Sequence, residues 1–106
     1  YQVTGRAGAV AFSTIFPGWY PGRTPHVHVK VRTYSRARNV THELTSQLYF
    51  DDAVTNAVLA QAAYGARGAR DTTNARDELF DRTMVVPLTR TRDGYGGTFN
   101  LGLRLS

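Results

Sequence analysis

Two histidines separated by a single residue, His26-Val27-His28, open the most regularly alternating segment in the sequence. Between His26 and Arg32, Val27, Val29 and Val31 fall on one side of an extended chain, and His26, His28, Lys30 and Arg32 on the other. Side chains two apart on a strand leave the same face, with Cα atoms about 6.5–7 Å apart. Imidazoles so placed can converge on one metal ion at about 2 Å each. Taken alone, the pair reads either as a metal site or as two ordinary polar-face histidines, and its neighbours bear on the choice.

Pro17-Gly18-Trp19-Tyr20-Pro21-Gly22-Arg23 leads directly into the histidines. Proline fixes φ and glycine permits backbone angles closed to other residues, so this connector can hold Tyr20 at a defined angle to the strand. Tyr20 by itself reads as an aromatic packing residue. Beside two histidines it also offers a phenolate, a hard anionic donor that favours Fe³⁺ over Fe²⁺, and imidazole suits iron as well.

The elements that must position these groups are short. Gly5 and Gly8 bracket a turn, and Ala9 to Phe12 reads as a strand. Glu43 to Phe50 reads as another, with Leu44, Ser46, Leu48 and Phe50 on one face and Gln47 and Tyr49 on the other. Asp51 or Asp52 can cap a helix running to about Ala63, since Val54, Ala57, Val58 and Gln61 recur at helical spacing. Tyr64 to Asp81 is polar and rich in Gly and Arg, as in an ordered loop. Met84 to Leu88 and Thr98 to Leu105 return to strand, the latter on the alternation of Phe99, Leu101, Leu103 and Leu105. The pattern predicts an all-β fold, a β-sandwich with one short helix and long loops, in a single domain spanning 1–106. The valine face of His26 to Arg32 is expected to anchor that strand to the core.

Composition narrows the function classes. The chain has 106 residues and a formal net charge of +5. Its arginines are scattered with no run of five, which argues against nucleic acid and for a basic surface with some affinity for anionic partners. The absence of cysteine excludes disulfides, iron–sulfur clusters, thiolate zinc sites and cysteine nucleophiles. No apolar run approaches the roughly 18 residues of a membrane span. Tyr1 opens inside what reads as an ordinary structured segment, without a secretion signal or an initiator methionine, which predicts a fragment or a processed product. Gly65-Ala66-Arg67-Gly68-Ala69-Arg70-Asp71 lacks the Gly-Lys-Ser/Thr ending of a phosphate loop and reads as structural. His42 reads as a surface residue, and Asp51-Asp52 as caps in preference to metal ligands.

The run from Thr14 to His28, TIFPGWYPGRTPHVH, closely resembles the iron-site segment of the intradiol ring-cleavage dioxygenases, and Leu44 to Phe50, LTSQLYF, resembles the strand that follows it in that family. The short Tyr20-to-His26 interval is similar to the branch common among extracellular bacterial and fungal members. The resemblance covers most of residues 1–80 and is loose after Phe80. It implies a β-sandwich catalytic core with a ferric ion, Fe³⁺, held by two tyrosinates, two histidines and a hydroxide. Tyr20 would be the second tyrosinate, displaced when substrate binds, with His26 and His28 as the histidine pair. Arg23 matches the family's active-site arginine, a fixed cation for negative charge building on the substrate. Gln47 matches a glutamine bordering the same pocket, and also reads simply as an amide on a polar strand face. The first tyrosinate lies further upstream in the family than this sequence reaches, and Tyr1 is too close to Tyr20 to replace it.

The resemblance therefore implies the C-terminal portion of such an enzyme, completed by an associated N-terminal piece that supplies the further tyrosine ligand. It implies cleavage of a catechol-type diol by O₂ to a muconate-type diacid, with a small-molecule substrate and no nucleic-acid or membrane partner; a homo-oligomer is compatible with it. It also implies a secreted protein, a cytoplasmic one being the alternative. Two rival readings stand beside the enzyme: an inactive fragment, and a non-catalytic binding module of carrier or carbohydrate-binding type using Trp19, Tyr20 and Tyr49 as an aromatic platform.

Overall fold

The computed structural model describes residues 1–65 and 68–105; Ala66 and Arg67 of the Gly/Arg-rich loop lie outside the described residues. Elements follow in the order β1 (His26–Tyr34), β2 (Val40–Tyr49), α1 (Asp52–Leu59), α2 (Ala62–Gly65), β3 (Thr89–Thr91) and β4 (Gly94–Gly96), with 3₁₀ turns at Asn74–Arg76 and Arg82–Met84. The architecture is β-rich, built from strands and long loops with short helices, as the alternation predicts.

β1 and β2 form an antiparallel pair in which His26 stands opposite Tyr49, His28 opposite Gln47 and Lys30 opposite Thr45. Opposed residues share a face. One face of the hairpin therefore carries His26, His28, Gln47 and Tyr49 together, and the other carries Val27, Val29, Val31, Leu44 and Leu48. The β-branched valines suit a pleated strand. They are partly buried, while the buried apolar side chains lie at the end of the hairpin, in Tyr49, and beyond it, in Phe50, Val58, Leu59 and Val86. The valine face is thus only partly covered and supplies none of the buried apolar side chains, contrary to the expectation that it anchors the strand to the core.

Several elements pin the histidine end of the hairpin. Asp51 caps α1, its carboxylate accepting from Ala53 N at 2.8 Å. The helix then buries Thr55, Val58 and Leu59, a stripe that shares only Val58 with the set expected from spacing. Val86 N donates to Tyr49 O at 2.8 Å. The Phe16 and Phe50 rings pack 4.8 Å apart, tying the Pro/Gly connector to the core. Tyr64 Oη donates to Phe16 O at 2.8 Å.

Much of the interior is polar. Thr24, His26, Thr55, Thr72, Asn74 and Asp77 are all buried. Over its described residues, from Gly68 on, the loop after α2 is ordered as expected, and the bonds show why. Arg70 reaches Asp52 at 2.6 Å, Asn56 at 3.1 Å, Thr24 at 3.1 Å and Thr72 O at 3.0 Å. Asn74 donates to Phe50 O at 2.7 Å and accepts from Thr24 Oγ1 at 2.6 Å.

Three expected strands do not form. Ala9 to Phe12 has no strand partner among the described residues, although the turn before it does form, with Gly8 N donating to Gly5 O at 3.0 Å. Met84 to Leu88 contributes only a single bridge, Tyr49 to Val85, after the Arg82–Met84 turn. Thr98 to Leu105 is irregular. Alternation marks a face, but a strand also needs an edge to pair with, and these segments have none here. Conversely, β3 and β4 form a hairpin where none was expected, around Arg92 and Asp93. Asp93-Gly94 is a turn signal that could have located it. Among the described residues no helix is long and apolar enough to cross a membrane.

Asn74→Ala should destabilise the domain by about 1–3 kcal/mol, because Phe50 O and Thr24 Oγ1 lose their partner in a buried setting. Urea unfolding should show a lower midpoint at unchanged slope; an unchanged midpoint would mean that the loop does not hold the histidine end of the hairpin.

Candidate functional site

The site begins with a turn. Tyr20-Pro21-Gly22-Arg23 closes on a hydrogen bond from Arg23 N to Tyr20 O at 3.3 Å, with Gly22 at φ 81°. Proline second and a positive-φ glycine third suit a type II turn. Gly22 N also donates to Asp71 Oδ1 at 3.2 Å, anchoring the turn to the distant loop. Tyr20 and Arg23 therefore flank one rigid corner, and the chain passes through buried Thr24 and Pro25 into β1.

His26 is buried, and its ring is oriented from below. Nδ1 lies 2.8 Å from Thr24 O. A carbonyl can only accept, so Nδ1 carries a proton, and in the neutral ring the free lone pair is on Nε2. Nε2 faces Tyr20 Oη at 3.4 Å. The His26 and His28 rings lie 5.1 Å apart at 75°. Tyr20, His26 and His28 thus come together as their spacing predicts.

The donor chemistry fits a metal ion. Two donors each about 2 Å from one ion are at most about 4 Å apart, and the 3.4 Å between Nε2 and Oη lies inside that limit. An imidazole whose second nitrogen donates to a backbone carbonyl is the usual arrangement of a metal-binding histidine. Among the described residues no group of three His, Cys, Asp or Glu side chains could hold a metal ion, so the set depends on Tyr20. Tyr20 and His28 are exposed, and His26 forms the closed side. Tyr1 is fully exposed and takes no part.

Beside the histidines lies a second cluster that spacing did not reveal. Arg23 Nε donates to Asp77 Oδ2 at 2.8 Å, and its Nη2 donates to Gln47 Oε1. Asp77 also accepts from Thr24 N at 2.8 Å and from Leu79 N at 2.8 Å. Tyr49 Oη sits 2.8 Å from Gln47 Oε1 and 2.7 Å from Leu79 O, one phenolic proton serving two acceptors. Arg23 and Gln47 therefore meet, as expected of two groups on one pocket. Asp77 and the Tyr49 hydroxyl were missed. Asp77 lies fifty-four residues from Arg23 in sequence, and no local pattern marks it; Tyr49 could have been found from its place on the histidine face.

Burial alone would push the Asp77 carboxyl up. The Arg23 guanidinium and the backbone N–H groups of Thr24 and Leu79 outweigh it and hold the group below its ordinary range. The hydrogen bond to Asp77 raises Arg23 in turn, against its own partial burial. Burial, reinforced by the Asp77 charge, raises the Tyr49 phenol, so it stays protonated and donates. Tyr49 is only 2% exposed, which removes it from any aromatic binding platform. His42 lies on the surface and Asp51 caps α1, as expected, whereas Asp52 pairs with Arg70, which was not expected.

No protein-family model and no curated protein matches the chain. Solved structures do. The chain is similar to an intradiol ring-cleavage dioxygenase from Tetranychus urticae, with 30% identity and a TM-score of 0.82 over 98% of this chain and 51% of that one. A second dioxygenase crystal structure matches at 29% identity and a TM-score of 0.82, again over 98% and 51%. The dioxygenase domain of a dioxygenase–carbohydrate-binding protein fusion from the cellulolytic bacterium Streptomyces sp. SirexAA-E matches at 34% identity and a TM-score of 0.66, over 97% and 52%. The chain spans about half the length of each of these relatives.

Asp77→Asn should destabilise the domain at pH 7 by about 3 kcal/mol, since it leaves Arg23 partly buried without its counter-charge. A carboxyl held below its ordinary pKa of about 3.9 contributes stability that is present above that value and is lost as pH falls through the lower folded value. The gap between wild type and Asp77→Asn should therefore narrow below about pH 4. Unfolding curves at pH 7 and pH 3 measure it; a gap independent of pH would show that the charge of Asp77 is not what stabilises the fold.

Proposed function

We infer, from a chain that is by fold a member of the intradiol ring-cleavage dioxygenases over about half their length, that it carries the iron-binding histidines, one tyrosinate and the charge-stabilising arginine of a catechol-cleaving dioxygenase. In that reaction both atoms of O₂ enter a catechol-type diol. The bond between its two hydroxyl-bearing carbons breaks, giving a muconate-type diacid. The observation that carries the reading is His26 Nε2, its lone pair fixed by the Thr24 carbonyl, facing Tyr20 Oη at 3.4 Å.

Tyr20, His26 and His28 would hold Fe³⁺, which when bound supplies Lewis acidity toward a chelated diol. The remaining work falls to the chain. His26 is kept in one tautomer and orientation by Thr24 O, so its nitrogen is presented without reorganisation. Tyr20 Oη, on an exposed turn, takes a proton from the entering diol. Arg23 cannot deprotonate and has no lone pair for a metal, so it serves as a fixed cation beside the ring where negative charge develops. Gln47, held by Arg23, borders the same position.

A further tyrosine ligand from an associated N-terminal piece would complete the donor set, and residence outside the cell accords with the branch that the Tyr20-to-His26 interval resembles. The platform reading is weakened by the burial of Tyr49. The inactive-fragment reading differs from the enzyme only in turnover.

Joined to the N-terminal piece and loaded with ferric iron, the chain should turn burgundy through tyrosinate charge transfer and cleave catechol. His28→Ala should lose the iron and Tyr20→Phe the colour. Arg23→Leu should keep both and lose about 10²–10³-fold in turnover, the size expected for one preorganised charge-stabilising group. Arg23→Lys should recover part of it, keeping the charge without the planar fork. Iron content, visible spectra and muconate formation decide; a colourless protein that binds no iron would overturn the assignment, and coloured protein without turnover would favour the inactive fragment.

A further inference from the structure

We propose that Asp77 is the positioning residue of this site: it clamps the Arg23 guanidinium by its Nε edge and so fixes which N–H groups of Arg23, and which end of the Gln47 amide, face the substrate. The inference rests on the dioxygenase reading above.

Asp77 is built to hold something in place. Its side chain is wholly buried, while that of Arg23 is 19% exposed. A buried carboxylate needs hydrogen-bond donors on both oxygens, and both have them. Oδ2 accepts from Arg23 Nε and from Thr24 N, and Oδ1 accepts from Leu79 N. The two backbone bonds fix the carboxylate in the frame of the protein, so its third partner is fixed as well. A guanidinium carries five N–H donors in a rigid plane. With Nε committed to Asp77 and one Nη2 hydrogen to Gln47, the plane cannot rotate, and the Nη1 edge points away from the clamp.

Gln47 follows from this. Arg23 can only donate, so the amide atom facing it must be the oxygen. Oε1 is engaged by Arg23 and lies next to the Tyr49 hydroxyl. The NH₂ group is therefore turned outward on the histidine face of the hairpin, where Gln47 stands opposite His28. Arg23 and Gln47 thus both present N–H donors to the same region. The complement they fit is an anionic oxygen, such as a deprotonated diol or the carboxylate that ring opening creates.

Asp77 itself touches no reacting atom. Arg70, on the same loop, bonds to Asp52, Asn56, Thr24 and Thr72, and shares with Asp77 only Thr24, through a different atom. Arg70 ties the loop to α1 and to Thr24, two residues before β1, with no bond to Arg23, and so provides a control for loss of loop anchoring alone.

The test compares the iron-loaded wild-type chain with Asp77→Asn, Asp77→Glu, Arg23→Leu, Arg70→Leu and the Asp77→Asn/Arg23→Leu double variant, using catechol as substrate. Asp77→Asn should keep its iron and visible band and lose about 10–100-fold in kcat per bound iron, as for other residues that orient a ligand from behind. The double variant should turn over no more slowly than Arg23→Leu, because both changes act through one guanidinium. Asp77→Glu should recover part of the loss. Arg70→Leu should lower the unfolding midpoint with kcat per bound iron unchanged. Equal kcat in Asp77→Asn and wild type, or losses that multiply in the double variant, would overturn the proposal.

A second measurement on the unmutated chain stands apart from turnover. Arg23 Nε–H should give a hydrogen-exchange-protected ¹⁵N–¹H resonance at neutral pH, shifted from those of exposed arginines; an unprotected, averaged signal would overturn the clamp even if the variants fail to fold. Iron-loaded wild type that lacks turnover while keeping the protected resonance would sink the enzymatic reading and leave the clamp standing.

Discussion

A single carboxylate joins the two halves of this structure. Asp77 lies in a loop far along the chain, and its buried charge is acceptable only because Arg23 and the N–H groups of Thr24 and Leu79 surround it. Desolvating a carboxylate without such partners would cost far more than a small domain can absorb. The loop must therefore return to the start of β1 for the fold to close. In doing so it brings Arg23 to Gln47 and fills the space behind Thr24. The constraint that satisfies the charge also builds the floor of the site.

The same economy governs His26. Its ring is buried, and a buried imidazole needs partners for both nitrogens. The Thr24 carbonyl takes one side and Tyr20 Oη faces the other. Thr24 is thus central three times over: its N–H donates to Asp77, its carbonyl accepts from His26, and its hydroxyl links Asn74 and Arg70. One residue between the turn and the strand couples the charge network to the histidine pair.

The valine face of the hairpin and the arm before the connector make the opposite point. Val3, Phe12 and Ile15 are exposed, and Val27, Val29 and Val31 only partly covered. The apolar pattern from which strands and a core were expected is present, but the burial is concentrated around Tyr49, Phe50 and α1. The relatives that share this fold are about twice as long.

Local chemistry made part of this legible in the sequence alone. The alternation of valines with histidines fixed β1 and its faces, because side-chain direction along a strand depends only on position. Pro21-Gly22 fixed the corner that holds Tyr20, because only those residues suit that turn. Asp51 before an apolar stripe marked the helix start. Whether Ala9 to Phe12, Met84 to Leu88 and Thr98 to Leu105 became strands depended on a pairing edge, which local pattern does not record. The tertiary structure alone decided that Asp77 meets Arg23, that Tyr49 is buried with its hydroxyl on Leu79 O, and which nitrogen of His26 is left for a ligand. The first two are contacts between segments distant in sequence, which buried charge and hydrogen bonding select only once the chain has closed on itself; the third rests on a carbonyl two residues away, set by the backbone course from the turn into β1, which residue type and spacing do not record.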